Sequence, residues 1–408
     1  MSELSPARRF LPIIVTVPLL SVAVGVDGSP MFQILATENL HLSPRVIGLA
    51  FGLGVASIPF QLMAARLPLW RARRNLRTFI VIMVGLTIGV AALVAMEATG
   101  ALATLALVIT VVAEIAVSVL YATSFRPIIS SDLDTTQRQR LGRIGRPVAT
   151  LATTAVLLIF GAVGASWRAA ILVLIAVAGL WTAAQIRHLS VVPRPIVAPP
   201  NVAADSVTTA DSAPPAAKIS PAMRHLYLCF GLMGFGAWPL LIVYVHVVLW
   251  PSAHLGVIAA VELTGGLIAS MAMRPTAGGL VRRARGGALG VLLAAAALAL
   301  VQSPVRPTVA KAVVLIAVFG SAFGLTVMRT ALLEVCHRCT DDASSVRAFT
   351  VLDVVASSSV QLGLLVGGVM IAWSAHSSWL VDPYRAFVLA AVLAGTGAVA
   401  RLREPPAS

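Results

Sequence analysis

Hydrophobic residues in this chain come in long unbroken runs, not in strict alternation. Runs of roughly twenty apolar positions suit helices that cross a bilayer, whereas a membrane barrel alternates with a period of two. The runs predict spans at 11–35, 46–65, 78–96, 101–124, 147–165, 168–186, 226–249, 254–273, 287–302, 308–328, 349–373 and 384–400. Between the sixth and seventh runs the pattern stops. Residues 188–222 are rich in Pro, Ala, Val, Ser and Asp, as in Pro193-Arg194-Pro195 and Pro214-Pro215. Such a segment neither spans nor builds a core and reads as a flexible linker.

Composition agrees with lipid as the solvent. Of 408 residues, 58% are hydrophobic and 11% charged, against about 25% charged in a soluble domain. The net charge of +14 first suggests nucleic acid, but its placement gives a different answer. With the N-terminus inside and sides alternating at each span, only Arg45, Arg168, Arg306, Lys311 and Arg385 fall outside. The other 25 of the 30 basic residues fall inside. That asymmetry is the positive-inside rule. It places both termini in the cytoplasm of a multi-pass protein of the inner (plasma) membrane, and it leaves no need for a nucleic-acid partner. Trp167, Trp250, Trp373 and Trp379 lie near outer ends, as in an interfacial aromatic belt.

Little else points to chemistry. The first apolar run is too long for a cleavable signal. The three cysteines do not form a disulfide scaffold. Cys336-His337-Arg338-Cys339 supplies half of a metal site with no second ligand pair near in sequence, so neither metal nor cofactor is expected. No Gly-x-Ser-x-Gly stretch or His cluster occurs, which argues against an enzyme.

The two halves echo each other. Arg126-Pro127-Ile128-Ile129 follows the fourth span and Arg329-Thr330-Ala331-Leu332 the tenth, each ahead of a loop expected to be long and polar. Each half then reaches a Trp, at 167 and 373. Parallel six-span repeats are a transporter plan. The expected fold is an all-α integral membrane protein of twelve transmembrane helices in two pseudo-symmetric six-helix bundles, residues 1–187 and 223–408, joined by the cytoplasmic linker 188–222.

This plan resembles the major facilitator superfamily over the whole chain. Ala65-Arg66-Leu67-Pro68-Leu69-Trp70-Arg71-Ala72-Arg73-Arg74 is similar to that family's Gly-x-x-x-Asp-Arg-x-Gly-Arg-Arg loop, with Leu69 in place of the Asp. Gly278-Gly279-Leu280-Val281-Arg282-Arg283-Ala284-Arg285-Gly286 is its second-half counterpart. Ser166-Trp167-Arg168 resembles the Gly-Trp-Arg turn before the sixth span, and Asp132-Leu133 through Gln137-Arg138 resembles the fourth-to-fifth loop of drug-efflux members. The resemblance implies alternating access by two rocking bundles, with Arg71, Arg73, Arg74, Arg126 and Arg329 as cytoplasmic gating residues. Where drug/proton antiporters often carry an Arg in span four, this chain has Glu114.

Four acids fall inside predicted spans: Asp27, Glu114, Glu262 and Asp353. An acid at mid-membrane costs about 2.5–3.5 kcal/mol on insertion scales, so such residues usually face a cavity. Asp27, Glu114 and Glu262 are the candidates for proton coupling; Asp353 lies within two turns of the inner end of its span and reads as a helix-end residue. An acidic cavity favours a cationic or zwitterionic cargo. Spans one and seven both carry breaks, at Gly25-Val26-Asp27-Gly28-Ser29-Pro30 and at Gly231, Gly234, Gly236 and Trp238-Pro239. Paired breaks in corresponding segments point to a binding site, making Gly28, Trp238 and Pro239 candidate cargo contacts. Gly48-x-x-x-Gly52 and Gly363-x-x-x-Gly367 allow close helix packing, read as intramolecular in a monomer. The reading is a proton-coupled exporter of a small, partly apolar molecule, its partners being cargo, protons and the bilayer. An importer of the same fold and a non-transporting receptor or assembly partner remain the alternatives.

Overall fold

The computed structural model describes residues 10–24, 29–64, 71–132, 135–186, 221–235, 240–250, 255–272, 279–301, 307–338, 342–375 and 382–403. The linker, Asp27, Gly28, Trp238, Pro239, Trp379 and Cys339 lie outside that set, as do the side chains of Arg126 and Asp353.

Among the described residues every regular element is helical. Eight helices are long and apolar enough to cross a membrane. Five of them match predicted spans directly: α5 (Ala72–Ala95), α8 (Ala165–Gln185), α11 (Leu255–Ala272), α12 (Leu280–Leu300) and α15 (Pro383–Ala400). The other three are parts of longer helices, α6 (Gly100–Asp132), α13 (Pro307–Arg338) and α14 (Asp342–Ser374), while α7 (Thr135–Ala162) carries a shorter apolar run. The apolar stretches read as spans one, two and seven each appear as two pieces. These are α1 (Leu11–Val24) with α2 (Pro30–Ile34), α3 (Pro44–Leu53) with α4 (Ile58–Ala64), and α9 (Pro221–Phe235) with α10 (Leu241–Tyr244).

Two expectations need correction. The loops after the fourth and tenth spans are not long: α6 runs to Asp132 and α7 starts at Thr135, while α13 runs to Arg338 and α14 starts at Asp342. The polar residues there continue the helices beyond the apolar stretch, because Gln and Arg are good helix formers where water replaces lipid. Asp353 is accordingly about three turns into α14, at about 3.6 residues per turn, and not at a helix end.

Local chemistry sets the starts. Ser29 caps α2 by accepting from Phe32 N at 3.3 Å, and Ser43 caps α3 by accepting from Val46 N at 3.4 Å, each just before a Pro at the first helical position. Asp382 caps α15 in the same way, accepting from Tyr384 N at 3.0 Å and Arg385 N at 3.2 Å. Spans one and seven also end alike, each in a π-helical turn, Leu35–Asn39 and Val245–Leu249.

The halves meet along two seams, α3 against α14 and α7 against α11. Each seam is closed by a pair of glycines. A Cβ on Gly48 would lie 2.9 Å from Gly368 Cα, and one on Gly256 would lie 2.7 Å from Gly161 Cα, so only bare backbone fits. The close packing expected at Gly48 is therefore intramolecular, but its partner is Gly368, with Gly363 instead set against Phe235 of α9. Both pairs lie at one end of the molecule, opposite Arg71, Arg73, Arg74, Arg282 and Arg283 at the starts of α5 and α12.

Candidate functional site

Helix geometry and exposure together show where the space between the halves opens. On α6, exposed Leu102, Leu105 and Ile109 mark the lipid side. At 100° per residue, Leu107, Val111, Glu114, Ser118, Tyr121 and Phe125 fall on the opposite side. The first three are buried, and Ser118, Tyr121 and Phe125 are half-exposed. On α11, Val257, Ile268 and Met271 mark the lipid side. On the other side Leu255 and Ala259 are buried, whereas Glu262, Gly266 and Ser270 are half-exposed. On α14, residues 354–360 are half-exposed, and Gln361, Leu364 and Gly368 are buried.

On all three helices the reachable part lies toward the arginine-rich end. The change from reachable to buried falls at Glu114, Glu262 and Gln361. These three positions mark the roof of the reachable region, and beyond them the glycine seams hold the halves together. Glu114 is fully buried at 0% exposure; Glu262 is half-exposed and within electrostatic range of Tyr384. Near Glu114, span two narrows into a 3-10 turn, Gly54–Ser57, whose first residue packs on Ile115 and Gln361.

Beyond the roof, a further contact joins the halves: Val243 N of α10 donates to Gln33 Oε1 of α2 at 3.3 Å. Each half also has an arginine corner at this closed end. Arg168, at the start of α8, donates from Nε to Phe160 O at 3.0 Å, from one terminal nitrogen to Asn39 Oδ1 at 2.8 Å, and from the other to Glu38 Oε2 at 2.6 Å. Its guanidinium also lies over the Phe160 ring. Arg385, at the start of α15, donates to the Tyr244 hydroxyl oxygen at 2.6 Å and to Val301 O. Tyr244 in turn donates to Asp382 Oδ2 at 2.6 Å and stacks on Tyr384. Each arginine thus ties its own span to the π-ended span of the same half. Exposed Trp167 and Trp373 lie at this end too, and Lys311 sits over the Trp250 ring, 4.4 Å from its centroid.

Of the residues singled out in the sequence, Glu114 and Glu262, from opposite halves, each stand where their own helix changes from reachable to buried. Arg71, Arg74 and Arg329 are exposed and Arg73 is half-buried, all toward the arginine-rich end and away from the roof. Cys336 is buried, with Sγ 3.9 Å from Met223 Sδ. Gln33 and Gln361 were missed. Their signal was available, since each is an amide inside an apolar run, but a neutral amide is less conspicuous there than an acid.

No family profile matches the chain, and no curated protein sequence does. Solved structures do match. A bacterial homologue of the iron transporter ferroportin, in an inward-facing state, is similar over 98% of this chain and 99% of its own, with TM-score 0.64 and 14% identity. The human organic anion transporter MFSD10 is similar over 97% and 100%, with TM-score 0.63 and 14% identity. The nucleoside transporter NupG is similar over 98% of each chain, with TM-score 0.60 and 13% identity. The chain shares the fold of these transporters.

Proposed function

We propose that this chain is a proton-coupled secondary transporter that exports a small, partly apolar molecule by alternating access. The observation that carries the reading is the roof: two acids from opposite halves at the blind end of an opening between them. Proteins seldom bury carboxyl groups in a membrane core without a use, because the cost is high. A carboxyl group there can settle that cost by binding a proton, and a cycle that moves it between sides can couple to that binding.

In this reading α1 to α8 and α9 to α15 form two bundles around residues 1–187 and 223–408, and the split helices complete twelve spans. The arginine-rich end is cytoplasmic, so the conformation is inward-facing. Opening the other side requires the two glycine seams and the Gln33–Val243 bond to part while the opposite ends close. Arg71, Arg73, Arg74, Arg126 and Arg329 are assigned in this reading to contacts with the far half on closure. Asp27, Gly28, Trp238 and Pro239 remain candidate contacts from the breaks in spans one and seven. Carboxyl groups at the roof favour cationic or zwitterionic cargo.

The test is transport in inside-out vesicles against a panel of cationic, neutral and anionic compounds, with and without a pH gradient. Gradient-dependent accumulation of a cationic or zwitterionic compound is the expected result. Uptake from the opposite side would instead favour the importer reading, and no gradient-dependent movement of any compound would overturn coupling.

A further inference from the structure

Gln361 is 1% exposed on α14 and leaves one end of its amide unused. Its Nε2 donates to Ser357 Oγ at 3.1 Å, one turn nearer the opening. Its Oε1 is buried with no hydrogen-bond partner. A hydroxyl can accept or donate, so turning the amide over would satisfy the oxygen and strand the nitrogen instead. In either orientation one polar end meets no protein group, and buried polar atoms in that condition are rare.

The surroundings indicate what the spare end is for. Gln361 is the first buried residue above the reachable stretch 354–360, at the roof level of Glu114 and Glu262. Across the seam it faces bare backbone: a Cβ on Gly54 would lie 3.2 Å from Gln361 Cδ and 3.4 Å from Oε1. The matching position in the first half, seven residues before Gly161 as Gln361 is before Gly368, is Thr154. Its hydroxyl donates to Thr150 O on its own helix at 2.8 Å. The seam can therefore be built from a side chain satisfied within its helix, and the amide adds something that packing does not require.

We propose that Gln361 is a specificity-determining residue for cargo, and that its free carbonyl oxygen accepts an N–H from an ammonium, amidinium or amide group held beneath Glu114 and Glu262. The inference deepens the transport reading and rests on it. The roof positions include a carboxyl group from each half, so a hydrogen-bond donor is preferred there over an acceptor. The contact forms as α14 and the 3-10 turn of span two part around the cargo.

The test is equilibrium binding to the purified full-length protein, with no gradient, using three single-ring probes. Benzamidine is a cation with N–H donors, phenyltrimethylammonium is a cation without them, and methyl benzoate offers only acceptors. The protein should bind benzamidine more tightly than either of the others. Gln361→Leu should weaken benzamidine roughly ten-fold, in line with one lost hydrogen bond to a charged group, and leave phenyltrimethylammonium unchanged. Gln361→Glu keeps an acceptor and should retain the preference. If the Leu variant fails to fold, Gln361→Met makes the same test. No preference for benzamidine in the unmodified protein, binding of none of the probes, or a preference that survives both apolar variants would overturn the proposal. Gln361-dependent binding without gradient-driven transport would overturn the proton coupling of the transport reading and leave the cargo contact standing.

Discussion

Gln33 and Val243 hold the same place in their two spans, each two residues before a π-helical turn, and they are bonded to each other across the halves. Val243 N is one of the first-turn amides of α10 that has no acceptor within its own helix. Gln33 supplies one at 3.3 Å from a side chain that is 5% exposed. The bond can exist only while this end of the molecule is shut.

Gln33→Leu should therefore loosen the closed end. Losing one such bond costs about 1 kcal/mol, which is about a five-fold change in the ratio of closed to open. A single cysteine at Ala36, which is fully buried here, would report it in a background lacking the native cysteines. Its alkylation from the side opposite the arginines should speed up several-fold in the Leu variant. An unchanged rate would mean that the seams alone hold the end shut.

The seams make a stronger prediction. A Cβ at Gly256 must push Gly161 backbone away, and one at Gly48 must push Gly368. Overpacking of this kind costs about 1–3 kcal/mol, and it falls on the closed form alone. Gly256→Ala and Gly48→Ala should each raise Ala36Cys labelling by roughly five-fold or more. Gly89→Ala is the control, because nothing lies within 4 Å of its added carbon. If all three variants label alike, the glycine contacts do not set the balance between the two conformations.

Much of this architecture was legible in the sequence, because lipid imposes a simple rule on it. A helix facing acyl chains must be apolar along its length, so α5, α8, α11, α12 and α15 follow directly from their runs. The helix start at Pro30 in span one was legible from Ser29-Pro30, while the Gly and Pro positions at 25–28 and 236–239 lie outside the described residues. The seams were only half legible. Gly48 stood out by its spacing to Gly52, but its partner, Gly368, is set by how two distant helices cross, and no local pattern carries that information. The same holds for the roof. Glu114 and Glu262 were marked by the cost of their charge, while the place of Gln361 against Gly54, next to Ile115, depends on packing between halves.

The arginine corners should prove structural. Arg168 is 8% exposed in its side chain and its partner Glu38 is 27% exposed. Arg168→Gln leaves Glu38 shielded without its cation, a loss of about 3 kcal/mol, the low end for breaking a buried pair because Glu38 keeps some water. Arg168→Lys should recover only part of it, since one ammonium cannot reach Phe160 O, Asn39 and Glu38 together. Thermal unfolding of the purified variants in detergent checks this order. A Gln variant as stable as the unmodified protein but inactive would instead assign Arg168 to the transport cycle.

The acids at the roof differ in a way that separates their roles. Glu262 is half-exposed on the reachable side of α11, and Glu114 is fully buried. A water-soluble carbodiimide with an amine nucleophile should therefore modify Glu262 and spare Glu114 in this conformation, with mass spectrometry of the digested protein as the readout. Gly256→Ala and Gly48→Ala, which favour opening of the far side, should reverse or reduce that contrast. Glu114→Gln and Glu262→Gln should both fold, with unfolding temperatures at or above that of the unmodified protein, because each removes a group that is costly to charge in the membrane. Both should lose gradient-driven transport while exchange of cargo without a gradient survives, and Asp27→Asn should behave the same way if that residue shares the role. Loss of exchange as well in Glu262→Gln would make Glu262 a cargo contact before it is a proton site. Full gradient-driven transport in both Gln variants would remove protons from the mechanism and leave the two carboxyl groups as hydrogen-bonding parts of the roof.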